Sequence, residues 1–116
     1  MKSSPFENVL ASLIRHRGVM GSLVISEGDG IIVDSTLQIG VKGKAVAALT
    51  ASLCRKARQA AHAAGFGEAG FLQLDAAHGR VCALGRNDLV LVAVADTGAN
   101  VGLIRVEMIR ALPLLQ

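Results

Sequence analysis

The chain has 116 residues of even composition, 52% of them hydrophobic and only 3% aromatic, with no Trp or Tyr. At this length a single domain, residues 1–116, is expected, and the apolar fraction is ample for a core. The formal net charge is +3. The cations are dispersed and aromatic side chains for base stacking are nearly absent, which argues against a nucleic-acid partner.

Sequence features of export or membrane insertion are not found. Ser3–Asn8 lacks the apolar core of a signal peptide. The longest apolar run, Leu89–Ala95, is far shorter than the roughly 20 residues of a membrane helix. Cys54 and Cys82 form no CxxC motif, and each is predicted to be a buried free thiol. We therefore expect a cytoplasmic protein that does not insert into membranes and has no disulfide bond.

The chain begins with a predicted helix. Ser4, Pro5 and Glu7 fit a capping box with Ser4 as the N-cap. Gly18 fits the position just past the helix end. Apolar residues recur at the spacing of one buried helical stripe, namely Phe6, Val9, Leu10, Leu13 and Ile14.

A β-hairpin is predicted next, with strands Val19–Ser26 and Ile31–Ser35 joined by the turn Glu27–Gly30. A short loop, Thr36–Gly43, leads from it into a long Ala-rich helix over about Lys44–Ala64, whose composition favours helix. Gly65 ends that helix.

The long helix is predicted to be amphipathic, with a basic outer stripe. At 100° per residue one face carries Val46, Leu49, Leu53, Ala57, Ala60 and Ala64. The opposite face carries Lys44, Ala48, Ala51, Arg55, Arg58 and His62. The apolar face is expected to cover the sheet, which leaves the basic face outward.

Three more strands are predicted, Gly70–Asp75, Arg80–Gly85 and Leu89–Ala95, separated by short turns that contain Gly, Asn or Asp. The last strand is apolar at every position, which predicts the middle of the sheet with helices on both faces. A final helix spans about Asn100–Leu112, with Thr97 as its N-cap and a stop at Pro113.

Gly102 is unfavourable inside that final helix by about 1 kcal/mol. A close approach to a neighbouring element would explain it. The element order α-β-β-α-β-β-β-α predicts an α/β three-layer sandwich around one five-stranded antiparallel sheet.

No catalytic, cofactor or metal-binding set is found in the sequence. Gly43-Lys44 fails as a phosphate loop because Gln38 and Ala45 stand where Gly and Ser or Thr are needed. The three histidines, His16, His62 and His78, are scattered and are expected to be surface residues. We therefore expect no enzyme activity.

Two segments carry a resemblance to a known family. The hairpin Leu23–Asp34 and the closing segment Val92–Arg105, which contains the string Asn-Val-Gly-Leu-Ile-Arg, resemble the Roadblock/dynein light chain family. The resemblance covers about Phe6–Leu112. Among bacterial members of the family, the chain resembles the MglB type. It implies a Roadblock, profilin-like fold without an active site of its own.

The resemblance also implies partners. Members of the family dimerise, typically by joining sheet edges and packing their second helices together. MglB-type dimers bind a Ras-like small GTPase, MglA, and stimulate hydrolysis by ordering the GTPase's own residues. The chain is accordingly expected to be a homodimeric GTPase-binding platform without a cofactor.

Candidate interface residues follow from this expectation. The basic stripe is predicted to face the GTPase, with small alanines that permit close approach: Lys44, Ala48, Ala51, Arg55, Arg58 and His62. The third strand is predicted to be the dimer edge because it lacks the Pro or Lys that protects an exposed edge: Gly70, Phe71, Leu72, Gln73 and Leu74.

Two other functions are compatible with the sequence. One is a structural adaptor subunit with no effect on nucleotide hydrolysis. The other is a small-ligand sensor, which would need a pocket with convergent polar groups.

Overall fold

A computed structural model of the chain describes residues 4–115. Its elements follow the predicted order: α1 (Glu7–Ile14), β1 (Val19–Ser26), β2 (Ile32–Leu37), α2 (Gly43–Ala63), β3 (Leu72–Ala76), β4 (Gly79–Arg86), β5 (Leu89–Ala95), α3 (Val101–Ala111) and a short 3-10 helix, η1 (Leu112–Leu114). Two strands differ from their predicted bounds by two residues: β2 continues to Leu37, beyond the predicted end at Ser35, and β3 begins at Leu72, after the predicted start at Gly70.

The five strands form one antiparallel sheet in the order β2-β1-β5-β4-β3. The central strand is β5, and all of it after Leu89 is buried. The prediction from its continuous apolar run is confirmed, because a strand covered on both faces needs apolar side chains on both. The two free edges belong to β2 and β3.

The sheet separates two apolar clusters, which makes the molecule a three-layer sandwich as predicted. On one face α1 and α3 pack through Leu13, Met108 and Leu91, all fully buried. On the other face α2 lies over Leu23 and Val92. Burying one such side chain contributes about 1.5–3 kcal/mol, so each layer contributes to the stability of the fold.

Tight turns join the strands where the backbone must adopt positive φ. Asn87 and Asp88 link β4 to β5 with φ of 52° and 68°, as a two-residue hairpin turn of type I′ requires. Gly18, between α1 and β1, has a φ of +87°, and a Cβ there would lie 2.8 Å from Cβ of Ala99. Glycine is therefore required at position 18.

Two predicted helix caps are wrong. Asn100, not Thr97, caps α3, because Asn100 Oδ1 accepts a hydrogen bond from the Leu103 backbone N–H at 3.2 Å. Ser4 does not cap α1 in a capping box. Its Oγ accepts from the Phe6 backbone N–H at 3.1 Å, within a turn that precedes the helix. In both cases several polar residues lie near the helix start, and spacing alone does not choose among them.

The cysteines are buried free thiols, as predicted. Cys54 belongs to the cluster under α2, whereas Cys82 belongs to the cluster on the opposite face of the sheet. Burial is the main cause that raises the pKa of the Cys82 thiol to about 11. Among residues 4–115 no helix has the length and apolar character needed to span a membrane.

Candidate protein-binding surfaces

Helix α2 lies on the sheet with a different face from the one predicted. Its buried residues are Ala47, Thr50, Ala51 and Cys54, whereas the predicted face centred on Leu53 is rotated from them by about 100°. The reason is size. Small side chains let α2 lie close to the segment between β1 and β2, where a Cβ on Gly30 would lie 3.4 Å from Cβ of Ala51.

This rotation changes the place of the predicted GTPase-facing residues. Ala51 is only 1% exposed, so its predicted outward position is wrong. Arg55 is exposed, but its Nη1 donates to the backbone oxygens of Glu27 and Gly28 at 2.8 and 3.2 Å. Arg58 forms an ion pair with the Glu27 carboxylate. The two arginines therefore hold the β1–β2 turn of their own domain.

The remaining members of the predicted stripe are exposed. His62 Nε2 lies 2.7 Å from Glu68 Oε2 in the loop after α2. Lys44 and Ala48 are exposed on the first turns of the helix. The structure thus divides the predicted stripe into one buried residue, two arginines bound to a turn, a histidine paired locally, and two exposed positions.

Lys56 is not among the residues predicted from the sequence. This exposed lysine lies on the outer side of α2, and no hydrogen bond or ion pair to it is seen within residues 4–115. Helix α2 contains no Asp or Glu at all. The signal that could have found Lys56 is this absence of carboxylates from a 21-residue helix, rather than the position of one stripe.

An apolar flank of α2 is left incompletely covered by the sheet. We call it the α2 flank, and its members are Val46, Leu49, Leu53, Ala57 and Ala60. Leu49 is 48% exposed, Leu53 is half-buried and Ala60 is exposed. These are the residues predicted to face the core, but in the structure they lie to one side of the buried face of α2 and are only partly covered. The sheet beneath also retains half-buried leucines on β3, Leu72 and Leu74.

The β3 strand forms a free edge of the sheet, as the sequence predicted, but it begins two residues later than predicted. A two-residue turn joins it to β4, with Ala76 opposite Gly79 as the closing pair. Because hydrogen-bonded and non-hydrogen-bonded pairs alternate along an antiparallel ladder, the backbone N–H groups of Gln73 and Asp75 point away from β4. Leu72, the first residue of β3, is half-buried, whereas the half-buried Phe71 and the exposed Gly70 precede the strand.

The opposite edge, on β2, is protected. The register between β1 and β2 shifts so that Val33 has no partner, which is a β-bulge. Asp34 Oδ1 also accepts a hydrogen bond from the Ser35 backbone N–H at 2.8 Å, which occupies a donor that another strand would need. Bulges and local capping are ways in which proteins prevent strand addition. The described part of β3 has neither.

A polar cavity of about 240 Å³ lies beside α2, where the β1–β2 and β4–β5 turns approach it. It is lined by Glu27, Cys54, Arg58, Glu68 and Asp88, among others. Arg58 is already neutralised by Glu27, and burial raises the pKa of the Cys54 thiol. Residues 4–115 contain no group of three His, Cys, Asp or Glu side chains that could hold a metal ion.

A family model for the Roadblock/LC7 domain matches residues 5–95. The chain belongs to the Roadblock/LC7 family. The match extends from just before α1 to the end of β5, and the observed strand order and three-layer sandwich are those of the Roadblock fold. Two uncharacterized proteins of Methanocaldococcus jannaschii are each 30% identical over 105 residues, which cover 90% of this chain and 91% of theirs.

Solved Roadblock structures share the fold at lower identity. MglB of Myxococcus xanthus has a TM-score of 0.84 and 19% identity, over 99% of this chain and 94% of that one. The gliding protein MglB of Thermus thermophilus has a TM-score of 0.82 and 19% identity, over 99% and 90%. A Roadblock/LC7 domain of Streptomyces avermitilis has a TM-score of 0.81 and 16% identity, over 92% and 91%.

Proposed function

We propose that this Roadblock/LC7 chain is a cytoplasmic homodimeric platform that binds a Ras-like small GTPase and stimulates its GTP hydrolysis, in the manner of the MglB type. The observation that carries the proposal is the unprotected β3 edge beside the uncovered α2 flank. The likeness to MglB structures supports the choice of partner, an MglA-like GTPase.

In the proposed dimer, β3 pairs with β3 of a second copy and continues the sheet. The outward N–H groups of Gln73 and Asp75 find acceptors there. The α2 flank packs against its own copy, which covers Leu49 and Leu53 and the half-buried leucines on β3. The edge residues Gly70, Phe71, Leu72, Gln73 and Leu74 line this interface. The asymmetry between the protected β2 edge and the open β3 edge supports β3 as the proposed joining strand.

The GTPase is proposed to dock on the outer side of α2, where Lys44 and Lys56 are exposed without carboxylates on the same helix. The exposed Ala48 permits close approach between them. Such a surface suits a partner face that carries Asp or Glu, because complementary charges speed association and align the two proteins.

The chain is proposed to act without catalytic groups of its own. An arginine supplied in trans would be the usual way to stabilise charge in GTP hydrolysis. Arg55 and Arg58 are held by the Glu27 turn. We therefore propose that the platform stimulates hydrolysis by ordering the GTPase's own residues.

The test uses the purified chain and a Ras-like GTPase from the same organism. Single-turnover GTP hydrolysis is measured with and without the chain, and binding is measured by calorimetry. Lys56→Glu is expected to weaken binding about tenfold or more by placing like charges across the interface. Arg17→Glu, in the exposed turn between α1 and β1, is the matched control and should bind normally.

Three outcomes separate the hypotheses. Binding with faster hydrolysis supports the platform that stimulates hydrolysis. Binding without faster hydrolysis supports the structural adaptor instead. Equal loss of binding in Lys56→Glu and Arg17→Glu would place the GTPase somewhere other than the outer side of α2.

A further inference from the structure

Helix α3 presents an apolar stripe to solvent on the side of the sheet opposite α2. Leu103, Val106 and Ile109 are 57%, 46% and 47% exposed. Their spacing of three residues places them along one side of the helix, over about 9 Å of its length. Gly102 and Arg110 lie on the same side, and together the five residues form what we call the α3 outer face.

Gly102 has no packing partner in its own domain. A Cβ at this position would meet only Asn100 Oδ1, at 3.3 Å, and within residues 4–115 no other element lies within 4 Å of it. The predicted close approach to a neighbour is therefore not made within residues 4–115. Gly102 is exposed in the first turn of α3, beside the apolar stripe, and its missing side chain leaves room for the backbone of another molecule.

The charges on α3 are arranged unequally around this stripe. The helix carries three charged residues, Arg105, Glu107 and Arg110. Glu107 is turned toward α1, where its Oε2 accepts from Ser12 Oγ at 2.7 Å. Arg105 and Arg110 are exposed, and the Arg105 guanidinium lies 5.2 Å from the ring centre of Phe71. The fully exposed charges beside the stripe are thus positive, because the half-buried Glu107 is engaged by α1.

We propose that the α3 outer face binds an acidic amphipathic helix of a second protein partner, distinct from the GTPase. The apolar side of that helix covers Leu103, Val106 and Ile109, Gly102 admits its backbone, and its flanking carboxylates meet Arg105 and Arg110. Apolar anchors at helical spacing are the usual way in which a helix is recognised. This surface goes beyond the proposed function, because α2 lies on the other face of the sheet.

A second copy of the chain fits this surface less well than an acidic helix does. If two copies of α3 packed antiparallel around Val106, Arg110 of each would lie near the other helix's N-terminal end, which carries partial positive charge. No exposed carboxylate on α3 would compensate, since Glu107 is engaged by Ser12 and lies 3.5 Å from His16. The charge pattern therefore selects an acidic partner.

The experiment uses the full chain and two synthetic amphipathic peptides. Both carry Leu at positions i, i+3, i+4 and i+7, and they differ only in flanking Glu or flanking Lys. Binding is measured by fluorescence anisotropy and located by backbone amide NMR shifts. The Glu peptide is expected to shift α3 amides and to bind about tenfold or more tightly than the Lys peptide.

Variants test the named residues. Val106→Glu is expected to abolish binding of the Glu peptide. Arg110→Glu is expected to bind the Lys peptide more tightly than the Glu peptide. Lys56→Glu on α2 should leave peptide binding unchanged, which separates this surface from the proposed GTPase site. Circular dichroism confirms that each variant is folded before it is compared.

Four outcomes would overturn the proposal. Equal binding of the two peptides, or amide shifts confined to α2, would show that the α3 outer face does not bind an acidic helix. Binding of phosphatidylglycerol vesicles that is lost in Val106→Glu, while the Glu peptide does not bind, would assign the face to a membrane. A lower mass by light scattering in Val106→Glu than in the unmodified chain would assign it to a second copy.

Discussion

Arg55 Nη1 lies 2.8 Å from the backbone oxygen of Glu27, across 28 positions of sequence. The contact ties α2 to the β1–β2 turn, and the ion pair between Arg58 and the Glu27 carboxylate reinforces it one helical turn further along. Two arginines that sequence periodicity assigned to a partner thus stabilise the domain itself. Their replacement is expected to act on stability first.

We predict that Arg55→Ala lowers the free energy of unfolding by about 1 kcal/mol, since a charged donor to two carbonyl oxygens is lost at a solvent-exposed site. Lys56→Ala, the neighbouring position without a partner, should change it by less than about 0.5 kcal/mol. Urea unfolding followed by circular dichroism measures both. Equal values for the two variants would mean that the turn does not depend on Arg55.

Much of the fold could be predicted from local patterns in the sequence. The continuous apolar run of β5 predicts its central position in the sheet. Gly65 marks the end of α2, where the backbone has a φ of +81°, a conformation that glycine adopts most readily. Each of these features depends on residues next to one another in the chain. Local spacing therefore sufficed.

The orientation of α2 could not be predicted in the same way. Periodicity ranks a face with Leu49 and Leu53 above one with Ala47 and Ala51, because larger side chains bury more area. In the structure the face with the small residues Ala47 and Ala51 lies on the sheet, because small side chains permit closer contact. The larger apolar side chains of Leu49 and Leu53 are therefore left partly exposed. That choice depends on the distance between the layers, which no local pattern contains.

We predict that stability falls as pH rises from about 9 to about 11, partly because of Cys82. Burial raises the pKa of its thiol to about 11 in the folded chain, whereas a cysteine in the unfolded chain titrates near 8.5. Between these values the unfolded state has released a proton that the folded state retains, so rising pH favours unfolding. Cys82→Ala should make this decline shallower in urea unfolding series at several pH values. An unchanged slope would count against the buried thiol.

The hydrogen bond between Ser12 on α1 and Glu107 on α3 makes the stability of the fold depend on pH in the acid range as well. The hydrogen bond from Ser12 Oγ is the main cause that lowers the pKa of the Glu107 carboxyl. A lowered folded-state pKa stabilises the fold above the ordinary pKa of glutamate, and that contribution is lost as pH falls through the folded value.

We predict that Ser12→Ala raises the Glu107 pKa toward its ordinary value and reduces stability at neutral pH more than at low pH. Carbon NMR of the Glu107 carboxyl gives the pKa directly, and thermal unfolding at pH 7 and pH 3 gives the stability. Ser52→Ala, on α2 in the opposite layer, is the control and should leave the Glu107 titration unchanged. A Glu107 pKa that does not move in Ser12→Ala would contradict the prediction.

The last prediction concerns the β3 edge and the α2 flank together. Gln73→Pro removes a backbone donor that points away from β4, so the ladder between β3 and β4 should remain while strand addition at the edge is lost. Leu53→Glu places a carboxylate on the flank where a second helix would pack. Each change is expected to convert a dimer of about twice the 12.0 kDa chain mass into a monomer, as measured by light scattering.

The controls for this test lie on the protected edge and the opposite layer. Ser35→Pro, on β2, where the backbone N–H likewise points away from the neighbouring strand, and Val106→Glu, on α3, should leave the mass of the dimer unchanged, provided that circular dichroism shows native helix and strand content. If Gln73→Pro alone produces monomers, the sheet edge is the interface and the flank remains free for a partner. If Leu53→Glu alone does so, the helices join the copies without a continuous sheet. A chain that is monomeric before any substitution would rule out the homodimer at both surfaces.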